Sequence, residues 1–242
     1  MLLENTIHLG DCLELMKEIQ DASVDMILCD LPYGTTDCKW DAIIPVDGLW
    51  EAYRRVLKPR GAIVLTACQP FTSRLVMSNV AAFKTAWVWN KKQSGGFATA
   101  KFCPLKVTED VLVFGYGPVQ YHPIMRQGKL RLKGGCKKKN EIQSGLKIIP
   151  AKLSDQYYPT NIIEIVNGRQ GKIHPTQKPV ELFEYLIKTY TNPGDLVLDN
   201  CAGSGTTAVA CKQTGRRYLC IEKDREYWLK ACERVNQSNG IS

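Results

Sequence analysis

The sequence predicts an α/β fold in which a mostly parallel, twisted sheet carries helices on both faces. The first indication is that short apolar runs alternate with stretches of helical periodicity through most of the 242 residues, as in βαβ units. The second is that polar or glycine-rich clusters directly follow two of these runs, as ligand-binding turns do at the carboxyl ends of parallel strands. The length suits one catalytic domain with an insertion.

Seven apolar runs are the strand candidates: Thr6–Leu9, Val24–Cys29, Ala62–Thr66, Ala86–Trp89, Val111–Phe114, Leu196–Leu198 and Tyr218–Ile221. The helical spacing of Leu49, Tyr53 and Val56 predicts a helix that stops at the turn signal over 58–61. A second apolar stripe over 183–190 predicts a helix that stops before the Asn-Pro-Gly turn at 192–194.

The alternation fails between about residues 91 and 172, and we expect an insertion or small second lobe there. Within it, segment 120–153 has nine basic residues and one acidic residue, which accounts for the whole net charge of +8. Such a cluster suits a phosphate backbone, where it releases counterions. A solvated loop without a partner explains the charge equally well.

Several classes of protein are disfavoured. The ten cysteines are scattered singly, without CxxC spacing, and the three histidines lie far apart, so we expect reduced thiols and no metal site. The amino terminus has no basic region followed by a long apolar run, and no later stretch is long enough to cross a bilayer. We therefore expect neither secretion nor a membrane location.

The first candidate site is Asp30-Leu31-Pro32-Tyr33, directly after the run Val24–Cys29. Because it follows a strand of an open sheet, it is expected to face the ligand crevice. Asp30 and the Leu31 carbonyl can accept both hydrogens of one amino group, and the Tyr33 ring offers a stacking surface for a planar base. The alternative is an ordinary strand-end turn with a capping aspartate.

The second candidate site runs from Asp199 to Thr207, with the sequence DNCAGSGTT, between a strand and a helix. Glycines there let the backbone approach a ligand, and free amides at a helix start suit an anion. Glu222 ends the next predicted strand, where an acid can hold the ribose hydroxyls of a nucleoside cofactor. A lone GxG is weak, but the order of strand, glycine turn, helix, strand and acid is stronger.

These residues resemble the catalytic and cofactor motifs of the amino-methylating DNA methyltransferases, the adenine-N6 and cytosine-N4 family. HPTQKP at 174–179 resembles the segment that precedes the cofactor motif in that family, and Gly10-Asp11-Cys12 resembles its short acidic turn. The motif order is similar to that of the circularly permuted beta class. The match covers roughly 1–115 and 160–236.

The resemblance implies a Rossmann-like S-adenosylmethionine-dependent methyltransferase fold. Its catalytic half would span 1–115 and its cofactor-binding half 161–242. Between them, 116–160 would form an inserted basic target-recognition region, whose start could lie as early as residue 91.

Carried over to this chain, the family implies three sets of site residues and no metal. The catalytic set is Asp30, Leu31, Pro32 and Tyr33. The cofactor set is Asp11, Cys12, Thr176, Gln177, Lys178, Asp199, Cys201, Ala202, Gly203, Ser204, Gly205, Thr206, Glu222 and Lys223. The DNA-binding set is Arg126, Lys129, Arg131, Lys133, Lys137, Lys138 and Lys139.

Some of these residues also have plain structural explanations. Asp11 is equally well placed to cap a helix over 13–19, Lys178 could be a surface charge, and His174 could simply shape a turn between prolines. Two departures from the family matter. Asn200-Cys201 stands where many members have Pro-Phe, which puts an aromatic cofactor contact in doubt. Leu31 stands where many have proline, which a backbone-carbonyl role tolerates.

Adenine-N6 methylation of DNA is the favoured function, because the catalytic tetrapeptide begins with aspartate. Cytosine-N4 methylation is the runner-up, followed by methylation of RNA or of a protein glutamine and by an inactive nucleic-acid-binding relative. A nicotinamide-dependent oxidoreductase lacks the GxGxxG spacing. We expect DNA as partner, a monomer or homodimer, and a cytoplasmic location in a bacterium or phage host; a cognate restriction enzyme is a further partner that the resemblance leaves open.

Overall fold

The computed structural model describes residues 2–34, 43–134, 150–168 and 177–238. The chain divides into two compact units, one formed by Met1–His122 with Asn161–Ser242 and the other by Pro123–Thr160. None of the helices in the described ranges is long and apolar enough to cross a membrane.

The described residues form ten strands and six α-helices. The strands are β1 (Thr6–Leu9), β2 (Val24–Cys29), β3 (Leu57–Ala67), β4 (Phe83–Gly95), β5 (Lys106–Phe114), β6 (Arg126–Lys133), β7 (Lys152–Tyr157), β8 (Ile162–Glu164), β9 (Leu196–Asp199) and β10 (Arg217–Glu222). The helices are α1 (Cys12–Met16), α2 (Val46–Val56), α3 (Phe71–Ser78), α4 (Val180–Tyr190), α5 (Thr206–Thr214) and α6 (Arg225–Gln237).

Eight strands of the first unit form one sheet in the order β1-β10-β9-β2-β3-β5-β4-β8. All neighbours are parallel except at β5, which runs antiparallel to both β3 and β4. The mostly parallel sheet predicted from the alternation of apolar runs is therefore confirmed. The structure adds β8 at the edge, a three-residue strand too short to be recognised from periodicity.

The helices cover both faces of this sheet. Side chains of β2 alternate between the two hydrophobic cores, since Met26 and Leu28 pack with the residues of α4, α5 and α6, whereas Ile27 and Cys29 pack with those of α1, α2 and α3. A strand buried on both faces has no polar alternation, which explains the continuous apolar run at 26–29. Each fully buried aliphatic side chain of this kind contributes about 1.5–3 kcal/mol.

The junction of α2 and β3 differs from the predicted turn over 58–61. The helix ends at Val56 as expected, but the chain continues at once as strand β3 from Leu57. Lys58 Nζ lies 2.8 Å from the Asp25 carboxylate of β2, and a Cβ on Gly61 would come within 2.9 Å of the Asp25 carbonyl. Val24 of β2 pairs with Leu57 and Met26 pairs with Ala62, so residues 58–61 form an irregular insertion within β3. The Lys58 ion pair and the close backbone approach at Gly61 hold this insertion against β2.

The second unit contains β6 and β7, paired antiparallel. The Tyr157 hydroxyl donates to the Lys129 carbonyl at 2.8 Å, and Lys133 Nζ lies 3.2 Å from the centroid of the Tyr157 ring. A Cβ on Gly128 would stand 2.7 Å from this ring, so glycine lets the tyrosine lie across the neighbouring strand. This unit, Pro123–Thr160, overlaps most of segment 120–153, which carries the excess basic charge.

Candidate active site at the carboxyl edge of the sheet

Five consecutive parallel strands, β1, β10, β9, β2 and β3, end at the same edge of the sheet. Each predicted acidic residue lies at that edge, since Asp11 follows β1, Glu222 ends β10, Asp199 ends β9 and Asp30 follows β2. Because β9 and β2 are paired neighbours, the fold places the two candidate sites side by side. Ligand crevices of open α/β sheets form at this edge.

Asp199 organises the glycine turn from within. Its carboxylate accepts hydrogen bonds from the Cys201 amide at 3.0 Å and from the Thr207 hydroxyl. The side chain is only 2% exposed, and this burial raises the pKa of Asp199 to about 6 even though its hydrogen bonds act to lower it. Asp199 thus holds both ends of its own turn.

The two glycines of the turn have different neighbours. Gly203 and Gly205 both adopt left-handed backbone conformations, with φ of 51° and 72°, which favour glycine. A Cβ on Gly205 would come within 3.2 Å of the Ala231 Cβ and 3.3 Å of Ile7 Cδ1. Gly205 therefore allows the start of α5 to pack closely against α6 and β1.

Arg234 of α6 holds the same turn from the other side. Its guanidinium donates to the Ser204 carbonyl at 2.9 Å and to the hydroxyls of Ser204 and Thr206, each at 3.1 Å. Burial lowers the pKa of Arg234. Sequence reasoning missed this residue, since an arginine in the last turn of a helix resembles an ordinary helix-end charge.

Glu222 connects the end of β10 to the glycine turn. One carboxylate oxygen accepts from the Gly203 amide at 2.7 Å, and the other accepts from the Asp224 amide at 2.8 Å. Burial raises the pKa of Glu222 in spite of these hydrogen bonds. The Gly10 amide also donates to the Glu222 carbonyl at 2.9 Å, so the turn after β1 adjoins the same strand end.

Asp11 is a helix cap in this structure. Its carboxylate accepts from the amides of Leu13 at 3.0 Å and Glu14 at 3.4 Å, and Lys223 Nζ donates to it at 3.1 Å. The hydrogen bond from Lys223 holds the pKa of Asp11 below its usual value, although burial acts in the opposite direction. The plain structural interpretation of Asp11 is therefore realised, and a contact with a cofactor stays a prediction.

Asp30 and Tyr33 contact each other at the end of β2. The Tyr33 hydroxyl donates to Asp30 Oδ1 at 2.8 Å, and the Thr66 hydroxyl from β3 donates to the same oxygen. The Tyr33 ring stacks on Phe71 with centroids 5.2 Å apart and planes inclined by 28°. Burial is the largest cause that raises the pKa of Tyr33 well above its usual range, followed by the charge of Asp30.

Lys178 joins the catalytic tetrapeptide from 148 positions away in the chain. Its Nζ lies 2.6 Å from Asp30 Oδ2 and 3.4 Å from Glu109 Oε2, and its side chain is 6% exposed. The view of Lys178 as a surface charge is therefore wrong. Burial alone would lower the pKa of Lys178, but the charges of Asp30 and Glu109 outweigh it and raise the pKa.

Glu109 of β5 extends the charged cluster that Asp30 and Lys178 form. Its Oε1 accepts from Lys91 Nζ of β4 at 3.0 Å. Its Oε2 has no hydrogen-bond partner among the described residues. The Lys178 ammonium lies 3.4 Å from this oxygen and forms an ion pair with it. Sequence reasoning missed Glu109, Lys91 and Thr66; the clearest available signal was Thr66, the one polar residue in the apolar run over 62–67.

The other predicted site residues fall into three groups. Leu31 and Cys12 are buried in the core against α1, α2 and α3, Pro32 and Gln177 are half-buried, and Thr176 and His174 lie outside the described residues. Where many family members have Pro-Phe, the Asn200 side chain accepts a buried hydrogen bond from the Tyr53 hydroxyl at 2.6 Å. Among the described residues, no group of three His, Cys, Asp or Glu side chains is arranged to hold a metal ion.

The predicted DNA-binding residues are partly described. Arg126, Lys129 and Arg131 are exposed along β6, and Lys133 is half-buried against Tyr157. The triplet at 137–139 lies outside the described residues. Contact of the exposed cations of β6 with a polyanion stays a prediction from their charge.

Comparisons with known proteins place the chain in a family. The family model N6/N4 methyltransferase, described as DNA methylase, matches residues 24–233. The chain is 28% identical over 254 residues to the DNA adenine methyltransferase YhdJ of Escherichia coli (strain K12), covering 98% of this chain and 84% of that protein. It is 26% identical over 257 residues to the type II methyltransferase M.HpaI of Haemophilus parainfluenzae, covering 99% of this chain and 77% of that protein.

The crystal structure of the M1.HpyAVI–SAM complex is similar in fold, with a TM-score of 0.64 and 24% identity over 95% of this chain and 98% of that one. This likeness confirms the predicted methyltransferase fold. The family match extends through both candidate sites and the segment between them. The family that the motifs predicted is thereby confirmed: this chain belongs to the N6/N4 DNA methylases.

Proposed function

We propose that this DNA methylase transfers a methyl group from S-adenosylmethionine to the exocyclic N6 of adenine at a specific DNA sequence, on a base extruded from the duplex. The observation that carries the proposal is the position of the Asp30 carboxylate. It lies at the end of β2, beside the Tyr33 ring and one strand away from the glycine turn after β9. The hydrogen-bond acceptor proposed for the target base and the turn proposed for the cofactor are thus neighbours.

The turn after β9 fits S-adenosylmethionine by the chemistry of its groups. Glu222 presents a carboxylate suited to ribose hydroxyls, and no side chain caps the first turn of α5, so its amides can meet an anion such as the methionine carboxylate. Asp11 with Lys223 adds an acceptor and a donor beside the end of β1. When bound, the cofactor supplies the methyl group on its sulfonium.

The catalytic residues act by orientation. The amino nitrogen of adenine is a poor nucleophile because its lone pair is delocalised into the ring. If Asp30 and the Leu31 carbonyl accept its two hydrogens, the lone pair is turned toward the methyl group. The nitrogen would then bond to the methyl carbon as the bond between that carbon and the sulfonium sulfur breaks, and the methylated amino group would release one proton to solvent. Lys178 is ill-suited to act as a base, because the charges of Asp30 and Glu109 raise its pKa.

Tyr33 is proposed to hold the extruded base. Extrusion costs a few kcal/mol, and stacking on an aromatic ring offsets about 1–3 kcal/mol of it. Phe71 lies stacked against the Tyr33 ring and keeps its plane fixed. Thr66 and Asp30 fix the hydroxyl, so the ring is held in place before the base arrives.

Cytosine-N4 is the second candidate, since the family includes both amino-methylating activities. An amino group on cytosine offers the same two hydrogens to the same acceptors, so the choice between the bases depends on the shape of the pocket. The aspartate at the first position of the tetrapeptide favours adenine.

The DNA substrate is proposed to be recognised through the basic second unit, with Arg126, Lys129 and Arg131 at phosphates and with Lys137, Lys138 and Lys139 as further contacts. Action in the cytoplasm of a bacterium or phage host is a further part of the proposal, based on the bacterial origin of the similar methyltransferases. The oligomeric state, monomer or homodimer, and a cognate restriction enzyme stay predictions.

The test is mass spectrometry of nucleosides from DNA incubated with the protein and S-adenosylmethionine. The parent protein should yield N6-methyladenine, and Asp30→Ala should lower the rate by about 100- to 1000-fold, the scale for a polar group that acts in the transition state. Asp21→Ala, which removes an exposed carboxylate, is the matched control and should keep full activity. N4-methylcytosine from the parent would favour the second candidate, and abundant product from Asp30→Ala would refute the role of Asp30.

A further inference from the structure

We propose that Lys178 is a positioning residue for Asp30, held by Glu109 and Lys91, and that it leaves one hydrogen-bond acceptor position on the catalytic carboxylate for the amino group of the base. The inference rests on the proposed function. It assigns to Lys178 a role different from the cofactor contact that its motif implies.

The count of acceptor positions gives the first argument. An ionised carboxylate has about four lone-pair positions, two on each oxygen. In this structure Oδ1 of Asp30 accepts from the hydroxyls of Tyr33 and Thr66, and Oδ2 accepts from Lys178. Among the residues that the structure describes, these contacts leave one position on Oδ2. A base that offers two amino hydrogens can therefore give one to Asp30, and the other needs the Leu31 carbonyl.

The immobility of Lys178 gives the second argument. A lysine side chain loses rotamer entropy when it is fixed, so an ammonium held in one position needs more than one restraint. Its Nζ lies between the carboxylates of Asp30 and Glu109, and Lys91 balances the charge of Glu109. Its carbonyl accepts from the Thr206 hydroxyl at 3.4 Å, which ties it to the cofactor turn.

The charges around Asp30 give the third argument. Lys178 is its cationic contact, Tyr33 is hydrogen-bonded to it, and its carboxylate interacts electrostatically with Asp199 and Cys29. Glu109 pairs with the same Lys178 ammonium. An ionised carboxylate only accepts hydrogen bonds, which is the form that the proposed role of Asp30 requires. Lys178 supplies the opposite charge in direct contact with this carboxylate.

The experiment measures single-turnover methyl transfer against pH for the parent, Lys178→Met and the double variant Lys178→Met/Glu109→Gln. Loss of the cation should move the acid limb of the Lys178→Met profile to higher pH by about 1–3 units, the usual effect of an adjacent opposite charge, and activity should recover as the pH is raised. Removing the charge of Glu109 as well should move the limb back toward lower pH. A purely structural defect would lower activity without this pair of opposite shifts.

Two controls keep the interpretation specific. Lys188→Met removes an exposed lysine of α4 that pairs with Glu184, and its profile should match that of the parent. S-adenosylmethionine affinity, measured by calorimetry, should change less than about twofold in Lys178→Met, because the lysine acts on the base side.

An unshifted acid limb in Lys178→Met, or a loss of cofactor affinity without a shift, would overturn the inference and return Lys178 to the cofactor site. If Lys178→Met does not fold, Glu109→Gln alone decides, since it should move the acid limb below that of the parent and an unmoved limb would contradict the network. A parent protein that methylates no DNA would instead refute the proposed function itself.

Discussion

Glu222 and Gly203 are joined by a hydrogen bond of 2.7 Å from the Gly203 amide to the Glu222 carboxylate. This contact ties the end of β10 to the glycine turn after β9, so the acid proposed to hold the ribose also sets the shape of the turn proposed to hold the methionine part. Both halves of the cofactor site therefore depend on one side chain.

Glu222→Ala should weaken S-adenosylmethionine binding by about 1–3 kcal/mol, because it removes a buried polar partner and leaves the Gly203 amide unpaired. Isothermal titration calorimetry measures the change. Glu226→Ala, which removes an exposed carboxylate of α6 that pairs with Lys230, is the control. Unchanged affinity in Glu222→Ala would remove this residue from the cofactor site.

Tyr33 has two separable parts, a ring and a hydroxyl, which two variants distinguish. Tyr33→Ala should weaken capture of the extruded base by about 1–3 kcal/mol through lost stacking. Tyr33→Phe keeps the ring but removes the hydrogen bond to Asp30, so it should bind DNA normally and methylate more slowly. Binding is measured by fluorescence anisotropy and methyl transfer by single-turnover kinetics. Equal DNA affinity in the alanine variant and the parent would contradict the stacking role.

Asp199 should make the stability of the fold depend on pH. Burial raises the pKa of folded Asp199 to about 6, against about 4 in an unfolded chain, so the folded state binds the proton more tightly. The stability contributed in this way is fully present below about pH 4 and is lost as the pH rises through 6. Relative to Asp199→Asn, the free energy of unfolding of the parent should fall by up to about 3 kcal/mol as the pH rises through this window.

Urea denaturation of the parent and Asp199→Asn at intervals from pH 4 to pH 7 tests this dependence. The difference in the free energy of unfolding between the two proteins should change across the window and level off above it. A constant difference would show that Asp199 is not the titrating group.

The exposed cations of β6 should contribute to DNA affinity without regard to sequence. Replacing both Lys129 and Arg131 with glutamine should weaken binding to all duplexes and reduce the slope of log K against log salt by about 2, one unit for each lost phosphate contact. Lys230→Gln, an exposed lysine on α6, serves as the control. A slope equal to that of the parent would leave β6 as a solvated strand. Lys133 is excluded from the variant because it packs on Tyr157.

The candidate site was predictable to the extent that its signals are local. Strands β1 and β2 have the predicted bounds. For β2 the reason is that a strand buried on both faces gives a nearly continuous apolar run that ends where the polar site begins. The position of Asp30 after β2 and of Glu222 at the end of β10 follows from the same local pattern. The family motifs added roles to these positions.

The sequence by itself therefore determined the fold class, the family and the residues at the strand ends. Only the tertiary structure decided that Lys178 is buried against Asp30, that Glu109 and Thr66 complete its surroundings, and that Arg234 supports the glycine turn. The physical reason is that a charged side chain is stable in the interior only when a partner meets it there. Whether such a partner lies close to the buried charge depends on the order in which distant strands pair. Local periodicity in the sequence does not contain that order.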